Sequence, residues 1–207
     1  MGLFQQLTEK PWVAGHNRVV DAHDRSAFFL PSATLGLRIF LAVVTVLFSL
    51  LVVAYADRMT LADWRPLPEP WLLWLNTAIL IMSSVGLQWA SVSARRGAMD
   101  GVRAGLLAGG IFAFTFLVGQ LLAWQELADL GYFAATNPAN AFFYLITGLH
   151  GLHLLGGLVA WVRTSDKVWR GGGIEVDRLR LSVELCAVYW HFLLVVWLVL
   201  FGLLLFT

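Results

Sequence analysis

Charged residues are scarce in this sequence, and their scarcity decides the class of protein. Asp, Glu, Lys and Arg make up 13% of the 207 residues, whereas a soluble domain has about 25%. Hydrophobic residues account for 59%, and the mean hydropathy is +0.74. A soluble fold could not bury so much apolar surface. The composition therefore excludes a soluble globular domain and predicts an integral membrane protein.

Cysteine is nearly absent as well. The single Cys186 excludes an intrachain disulfide and a thiolate metal cluster. The net charge of +1, with no basic run interleaved with aromatic residues, gives no indication of a nucleic-acid partner. Walker, GxGxxG and Ser/His/Asp signatures are missing too, so the common nucleotide-binding and hydrolytic chemistries have no support.

Carboxylates are missing from the middle of every apolar run. The acidic residues after the first 34 fall in loops or at the ends of the runs: Asp57, Asp63, Glu69, Asp100, Glu126, Asp129, Asp166, Glu175, Asp177 and Glu184. Proton pumps and ion transporters use intramembrane carboxylates, so no proton relay is predicted within this chain. A lone transporter is further disfavoured because inverted repeats and midplane breaks are absent.

What is present is a set of five apolar runs of membrane length, each near the roughly 20 residues that cross a bilayer. The predicted spans are Leu35–Ala56, Trp71–Ser93, Ala104–Glu126, Ala139–Val162 and Val183–Phe206. The fold class is therefore all-α, an integral membrane bundle of five transmembrane helices over residues 34–207. Residues 1–33 are predicted to be a cytoplasmic amino-terminal arm. His16, Asp21 and His23 in this arm lack the spacing of a metal site.

The positions of Lys and Arg predict the orientation. Twelve of the 14 lie in the amino-terminal arm, at the start of the first span, and in the second and fourth loops, against two in the first loop and none in the third. Under the positive-inside rule the amino terminus is cytoplasmic and the carboxyl terminus lies on the outer side of the membrane.

Neutral polar residues and glycines mark one face of several spans. On the fourth, His150, His153 and Gly157 share a side, with Thr147 and Gly151 beside them. The second span carries a polar stripe that continues to Gln88, and Gly105 and Gly109 form a GxxxG pattern on the third. Such residues are typical of close helix packing. We expect Gln120, His150, His153 and His191 to be buried among helices and hydrogen-bonded.

The histidines also allow a second interpretation. A b-type cytochrome holds its haem between histidines on facing helices, and His150 or His153 could pair with His191 at a similar depth. Only one such pair can be drawn, so packing is the favoured role. A Soret band in the isolated chain would distinguish the two interpretations.

The motifs together resemble subunit III of the haem-copper terminal oxidases, in its short five-helix bacterial form. The most specific match is the run from Phe143 to His153 with Gly156 and Gly157 (F-Y-x-x-T-G-x-H-G-x-H-x-x-G-G), followed by a closing Tyr-Trp-His-Phe element. The motif and packing residues are Asn76, Thr77, Ser83, Ser84, Gln120, Trp124, Tyr144, Thr147, Gly148, His150, Gly151, His153, Gly157, Tyr189, Trp190, His191, Phe192 and Trp197. The sequence departs from the family pattern at Val44 and Leu194, where the family usually carries carboxylates.

The resemblance implies an accessory subunit without a catalytic, metal or cofactor site of its own. Haem and copper are expected in the partner catalytic subunit, subunit I, and the other partners are further oxidase subunits, membrane phospholipid in a cleft and, as one option, a respiratory supercomplex. The whole complex would reduce oxygen and pump protons, with this chain supporting turnover and proton uptake. The missing carboxylates leave a related alternative, an accessory subunit of nitric oxide reductase.

Overall fold

A computed structural model describes residues 32–65, 71–170 and 176–206, and these ranges form five α-helices. The helices are α1 (Ser32–Arg58), α2 (Leu72–Arg95), α3 (Met99–Asp129), α4 (Pro138–Arg170) and α5 (Val176–Leu205). All five are long and apolar enough to cross a membrane. The predicted all-α fold, with five helices that could span a membrane, is therefore confirmed for the described residues.

Most of the helices extend beyond the predicted spans. Helix α4 continues from Val162 to Arg170, and α5 begins at Val176 instead of Val183. Hydropathy marks only the apolar part of a helix, whereas charged turns continue the helix when i, i+4 ion pairs support it. The extension of α4 carries such a pair between Arg170 and Asp166, 2.7 Å apart.

One predicted segment lies almost wholly outside these ranges. The arm at residues 1–33 lies outside the described residues except for its last two, which begin α1. Residues 66–70, with three prolines, and residues 171–175, with three glycines, also lie outside them. The start of α4 at Pro138 is described: the Asn137 Oδ1 accepts a hydrogen bond from the Ala139 N–H at 3.2 Å, a side-chain cap before a proline in the first turn.

Helices α2 to α5 form a closed ring in which each helix packs against two neighbours. The most extensive contact joins α2 and α3, because glycines on both helices remove the side chains that would keep them apart. A Cβ on Gly86 would lie 2.9 Å from the Gly109 nitrogen, and a Cβ on Gly105 would lie 2.7 Å from the Gly86 oxygen. The GxxxG pattern at Gly105 and Gly109 thus marks a true close-packing face.

Helix α1 is related to this ring differently. Its backbone between residues 36 and 58 does not approach the other helices closely, and contact is made by large side chains instead. The Phe48 ring lies 5.4 Å from the ring of His153, and the Tyr55 ring lies 5.6 Å from that of Phe142. In the most apolar 18-residue stretch of α1 only 17% of the residues are buried, against 33–44% in the corresponding stretches of the other four helices. Most of α1 therefore faces lipid or a partner.

Charged side chains gather at one end of the ring, here called the basic end, where α2 finishes and α5 starts. Glu184 Oε1 accepts from Arg95 Nε at 2.9 Å and from Arg180 Nε at 3.1 Å, which ties α2 to α5. Two guanidinium groups share one carboxylate, so this cluster keeps one net positive charge. All three side chains are partly exposed, so the cluster positions the helix ends more than it stabilises the fold.

The loop after α1 holds an ion pair of its own. The Arg58 guanidinium donates two hydrogen bonds to Asp63, one of them at 2.7 Å. These hydrogen bonds hold the pKa of the Asp63 carboxyl below its usual range. Since the pKa is lower in the folded state, the pair contributes at pH values above the unfolded pKa and is lost as the pH falls through the folded one. Because solvent reaches both side chains, this contribution is small.

Candidate functional site

The polar face of α4 meets α3 through a hydrogen bond between side chains. The Trp124 indole Nε1 donates to the Thr147 Oγ1 at 3.1 Å, and the Thr147 hydroxyl donates to the carbonyl of Phe143 at 2.6 Å. Gly148 lies beside this pair, because a Cβ there would touch the Trp124 ring at 3.4 Å. The side chains of the predicted motif therefore form an ordered contact between α3 and α4.

His150 is fully buried one turn further along α4. Aromatic rings surround it: Trp197 at 5.1 Å, Phe116 at 6.0 Å and Phe48 at 6.4 Å between centroids. Neither ring nitrogen has a hydrogen-bond partner among the described residues. The predicted burial is confirmed, but no protein group among the described residues supplies the predicted hydrogen bond, because the neighbours that close around this imidazole are aromatic rings.

Gln120 behaves in the same way. Its side chain is 4% exposed, and neither amide atom has a hydrogen-bond partner in the described part of the chain. We predicted a buried and hydrogen-bonded residue, and only the burial is confirmed. Sequence spacing placed this amide on an inward face but could not show which groups stand opposite it.

His153 and His191 differ from the prediction in the opposite sense. Both are only half-buried, so the prediction of burial among helices is wrong for them. Each makes a hydrogen bond within its own helix: His153 Nδ1 lies 2.8 Å from the Leu149 oxygen, and His191 Nδ1 lies 2.6 Å from the Ala187 oxygen. These bonds satisfy one ring nitrogen without a neighbouring helix.

The polar stripe of α2 divides into an inward and an outward part. Asn76, Thr77, Ser83 and Ser84 are buried, whereas Gln88 is exposed. The Ser83 hydroxyl donates to the Gly109 carbonyl at 2.7 Å, and the Thr77 hydroxyl accepts from the Trp197 Nε1 at 2.9 Å. The buried part of the stripe thus bonds α2 to both of its neighbours.

Helix α5 uses its aromatic motif to pack on α4. The Tyr189 hydroxyl donates to the His153 carbonyl at 2.9 Å, and its ring lies where a Cβ of Gly157 would come within 2.9 Å. Gly151, in contrast, faces open space. Trp190 is buried and Phe192 half-buried, while the Tyr144 hydroxyl on α4 donates to the Tyr132 carbonyl at 3.0 Å.

The structure does not bring the histidines into one ligand set. Tyr189 faces α4, and His191, two residues later, points about 200° away from it on the helix. His191 instead lines a groove between α2 and α5 together with Gln88 and Leu194. Among the described residues, no group of three or more His, Cys, Asp or Glu side chains could hold a metal ion.

The family model for cytochrome c oxidase subunit III matches residues 32–206. The chain belongs to the cytochrome c oxidase subunit III family. It is 30% identical over 187 residues to cytochrome c oxidase subunit 3 of Thermostichus vulcanus, covering 88% of this chain and 89% of that protein. It is 31% identical over 173 residues to the subunit 3 of Synechocystis sp., covering 80% of this chain and 72% of that protein.

A probable cytochrome c oxidase subunit 3 of Mycobacterium bovis is 30% identical over 143 residues, which cover 67% of this chain and 69% of that protein. The predicted membership of the subunit III family is confirmed. The matched residues begin at the first residue of α1, so the similarity spans all five described helices. As a member of this family, the chain is a component of an oxidase complex.

The two departures from the subunit III pattern lie in different surroundings. Val44 on α1 is buried at 2% exposure, so an apolar side chain suits its position. Leu194 on α5 is half-buried and lines the groove that also contains His191. Within this subunit III chain, the carboxylates expected at both positions are replaced by side chains that fit an apolar environment.

Sequence reasoning did not single out Phe48 or Gly86, which complete the site. Like Phe116, Phe48 lies against His150, and Gly86 receives the backbone of α3. Phenylalanine is common in any membrane span, so its role here carried no signal. Gly86 does carry one, because it lies between the buried Ser83 and Ala90 at helical spacing on the face of α2 that packs on α3.

Proposed function

We propose that this chain is a non-redox accessory subunit of a respiratory haem-copper oxidase. It packs on the catalytic subunit, binds phospholipid and supports oxygen reduction and proton uptake. The observation that carries the proposal is the match of residues 32–206, which include all five described helices, to the subunit III family. Haem and copper are then expected in the partner catalytic subunit. The partners are catalytic subunit I and further oxidase subunits, with a supercomplex as a larger assembly.

The test of this function is a mild-detergent purification of the tagged chain with subunit identification and a reduced-minus-oxidised spectrum. We expect a large haem- and copper-containing subunit to co-purify, and the separated chain to be colourless. The identity of that partner distinguishes an oxygen reductase from the nitric oxide reductase alternative. A chain that purifies alone with a Soret band would contradict the proposal and support a b-type cytochrome.

The groove between α2 and α5 is the surface on which we expect the catalytic subunit to pack. Gln88 is an exposed amide about 10 Å from the basic end, as the 1.5 Å rise per residue gives. Polar groups facing hydrocarbon at this depth are costly, and His191 opens onto the same groove. The groove ends near Arg95 and Arg180, whose spare positive charge complements an acidic group. A partner helix with a polar side chain and an acidic end would fit this face.

A photo-reactive residue at Val85, which lines the groove, tests the contact face. We expect cross-linking to the catalytic subunit, because the partner helix would lie within van der Waals distance of this position. The matched control is the same residue at Leu121 on α3, which is 61% exposed and lies outside the groove. Cross-linking to the catalytic subunit from Leu121 but not from Val85 would refute this assignment.

Phospholipid binding is supported by a second groove, between α1 and α4. Its lining is wholly apolar: Ala42, Val43, Val46, Leu47, Leu50, Leu51 and Ala54 from α1, with Leu149 from α4. The volume is about 810 Å³, and the wide spacing of α1 from the ring keeps it open. An acyl chain matches this lining because it requires no hydrogen-bond partner.

Native mass spectrometry of the purified complex tests the lipid. We expect retained phospholipid, and its loss when Val46→Trp fills the groove. Val159→Trp on α4 is the control, because Val159 is 52% exposed but does not line the groove. If both variants retained phospholipid equally, lipid binding in this groove would be contradicted.

The histidine variants separate a packing role from haem ligation. His153→Ala removes the ring that lies 5.4 Å from Phe48 and joins α1 to α4, so we expect the subunit to be retained less well in the complex. The haem content per catalytic subunit is expected to stay unchanged. Leu152→Ala, at a neighbouring lipid-facing position with 61% exposure, is the control. Loss of haem in the His153→Ala complex would contradict the proposal.

The proposed orientation is a cytoplasmic amino terminus and a periplasmic carboxyl terminus in a bacterial inner membrane. It is supported by the Lys and Arg bias of the sequence and by the bacterial source of the relatives. Alkaline phosphatase fused after Thr207 is expected to be active, because this enzyme matures outside the cytoplasm. If the fusion after Thr207 were inactive and a fusion in the loop after α2 were active, the orientation would be the opposite of the proposed one.

A further inference from the structure

Three neutral polar side chains lie buried in the ring without partners in the described part of the chain. Asn76 on α2, Gln120 on α3 and His150 on α4 are 0%, 4% and 0% exposed. Both polar side-chain atoms of each residue lack a hydrogen-bond partner among the described residues, six atoms in all. Burying a polar group without a partner is unfavourable, and no bulk water is available inside a membrane to supply one.

The contacts between helices place Gln120 and His150 at one depth. Helices α3 and α4 are antiparallel, since Trp124 bonds Thr147 and, further toward the basic end, Trp161 Nε1 donates to the Leu106 carbonyl at 2.8 Å. Gln120 lies four residues from Trp124 toward the basic end, and His150 lies three residues from Thr147 in the same direction. At 1.5 Å per residue their depths differ by only about 1.5 Å.

Asn76 belongs to the same layer. A Cβ built on Gly119 would fall on the Asn76 amide, so Asn76 lies against the residue that precedes Gln120. Trp197 of α5 completes the layer, because its Nε1 bonds Thr77 and its ring lies 5.1 Å from that of His150. All four helices of the ring therefore contribute to one cross-section. Its three side chains without a partner among the described residues, Asn76, Gln120 and His150, are here called the polar layer.

We infer that the polar layer of Asn76, Gln120 and His150 binds ordered water inside the four-helix ring. Each amide offers donors and an acceptor, and a neutral imidazole offers one of each. Water matches this mixture because it both donates and accepts, and buried waters characteristically serve such otherwise unpaired groups. The layer has no carboxylate or ammonium group, so an ion would find no counter-charge there.

This water site is independent of the proposed partner, and it uses none of the residues of the two surface grooves. Gly119 contributes to it by leaving the space that the Asn76 amide enters. The site holds together helices that would otherwise bury unpaired polar atoms, so its occupancy and the packing of the ring are coupled. Direct bonds between Asn76 and Gln120 would be the competing arrangement.

The first test is a density map of the purified protein, with the subunits that accompany it, at a resolution of about 2 Å. We expect at least one water peak at about 2.7–3.2 Å from polar atoms of two of the three side chains. A map in which Asn76 and Gln120 bond each other directly and no peak is present would overturn the inference. This measurement uses the unaltered chain, so it does not depend on a variant folding.

Hydroxyl-radical footprinting gives a second readout, because radicals formed from a trapped water oxidise the rings beside it. We expect oxidation of Phe116 and Trp197 in the unaltered protein and its loss in Gln120→Leu. Ser83→Ala is the control, since the Ser83 hydroxyl already bonds Gly109 and lies outside the layer. Oxidation that persists in Gln120→Leu, or that is also lost in Ser83→Ala, would overturn the inference.

Discussion

Gly105→Ala is expected to destabilise the protein by about 1–3 kcal/mol, the usual cost of forcing an extra group into a packed contact. A Cβ at this position would lie 2.6 Å from the Ala90 nitrogen and 2.7 Å from the Gly86 oxygen. Both are backbone atoms of α2, so relief requires the whole helix to move. The α2–α3 contact is the most extensive in the ring, and the thermal unfolding midpoint in detergent measures its loss.

Gly151→Ala is the matched control for this prediction. Gly151 lies in the middle of α4, but a Cβ there would have nothing within 4 Å. Alanine favours helix over glycine by up to about 1 kcal/mol, so we expect an unchanged or slightly higher midpoint. A fall of equal size in both variants would show that the glycines act through helix propensity and that the close approach of α2 and α3 is not the cause.

Trp197→Ala is expected to have the largest single effect, about 3–5 kcal/mol, as for other large-to-small changes in packed cores. Trp197 is fully buried, and its ring lies 5.0 Å from that of Phe116 and 5.1 Å from that of His150. Its removal opens a cavity where α2, α3, α4 and α5 meet. Unfolding by denaturant in mixed micelles measures the free energy of unfolding. It is followed by the circular dichroism of the helices, because this signal does not depend on the tryptophan that is replaced.

Two further variants separate the contributions of this residue. Trp197→Phe keeps most of the ring but loses the 2.9 Å bond to Thr77, so we expect a smaller loss with a hydrogen-bond part of about 0.6 kcal/mol. Leu198→Ala changes the adjacent, 44% exposed side chain and is expected to have little effect. If Leu198→Ala were as damaging as Trp197→Ala, the junction of the four helices would not be the source of the stability.

The residues show which features could be predicted from sequence. The GxxxG pattern at Gly105 and Gly109 identified a close contact because glycine spacing is a local property of one helix. Thr147 and Trp124 were singled out separately, and only the structure pairs them. His153 and His191 were expected to be buried, yet each is half-buried and bonded to its own helix. A span of membrane length shows which residues share a face, but the direction of that face depends on its neighbours.

The sequence by itself determined the membrane class, the five spans and the family, because apolar length and ordered motifs are properties of the chain read in one dimension. The tertiary structure alone decided that α1 lies apart from a ring of four helices, that Gln88 faces outward and that Asn76, Gln120 and His150 share one level. The physical reason is that lipid and protein interior are both apolar. Hydropathy therefore cannot fix the rotation of a helix about its axis, and close packing and hydrogen bonds between helices must do so.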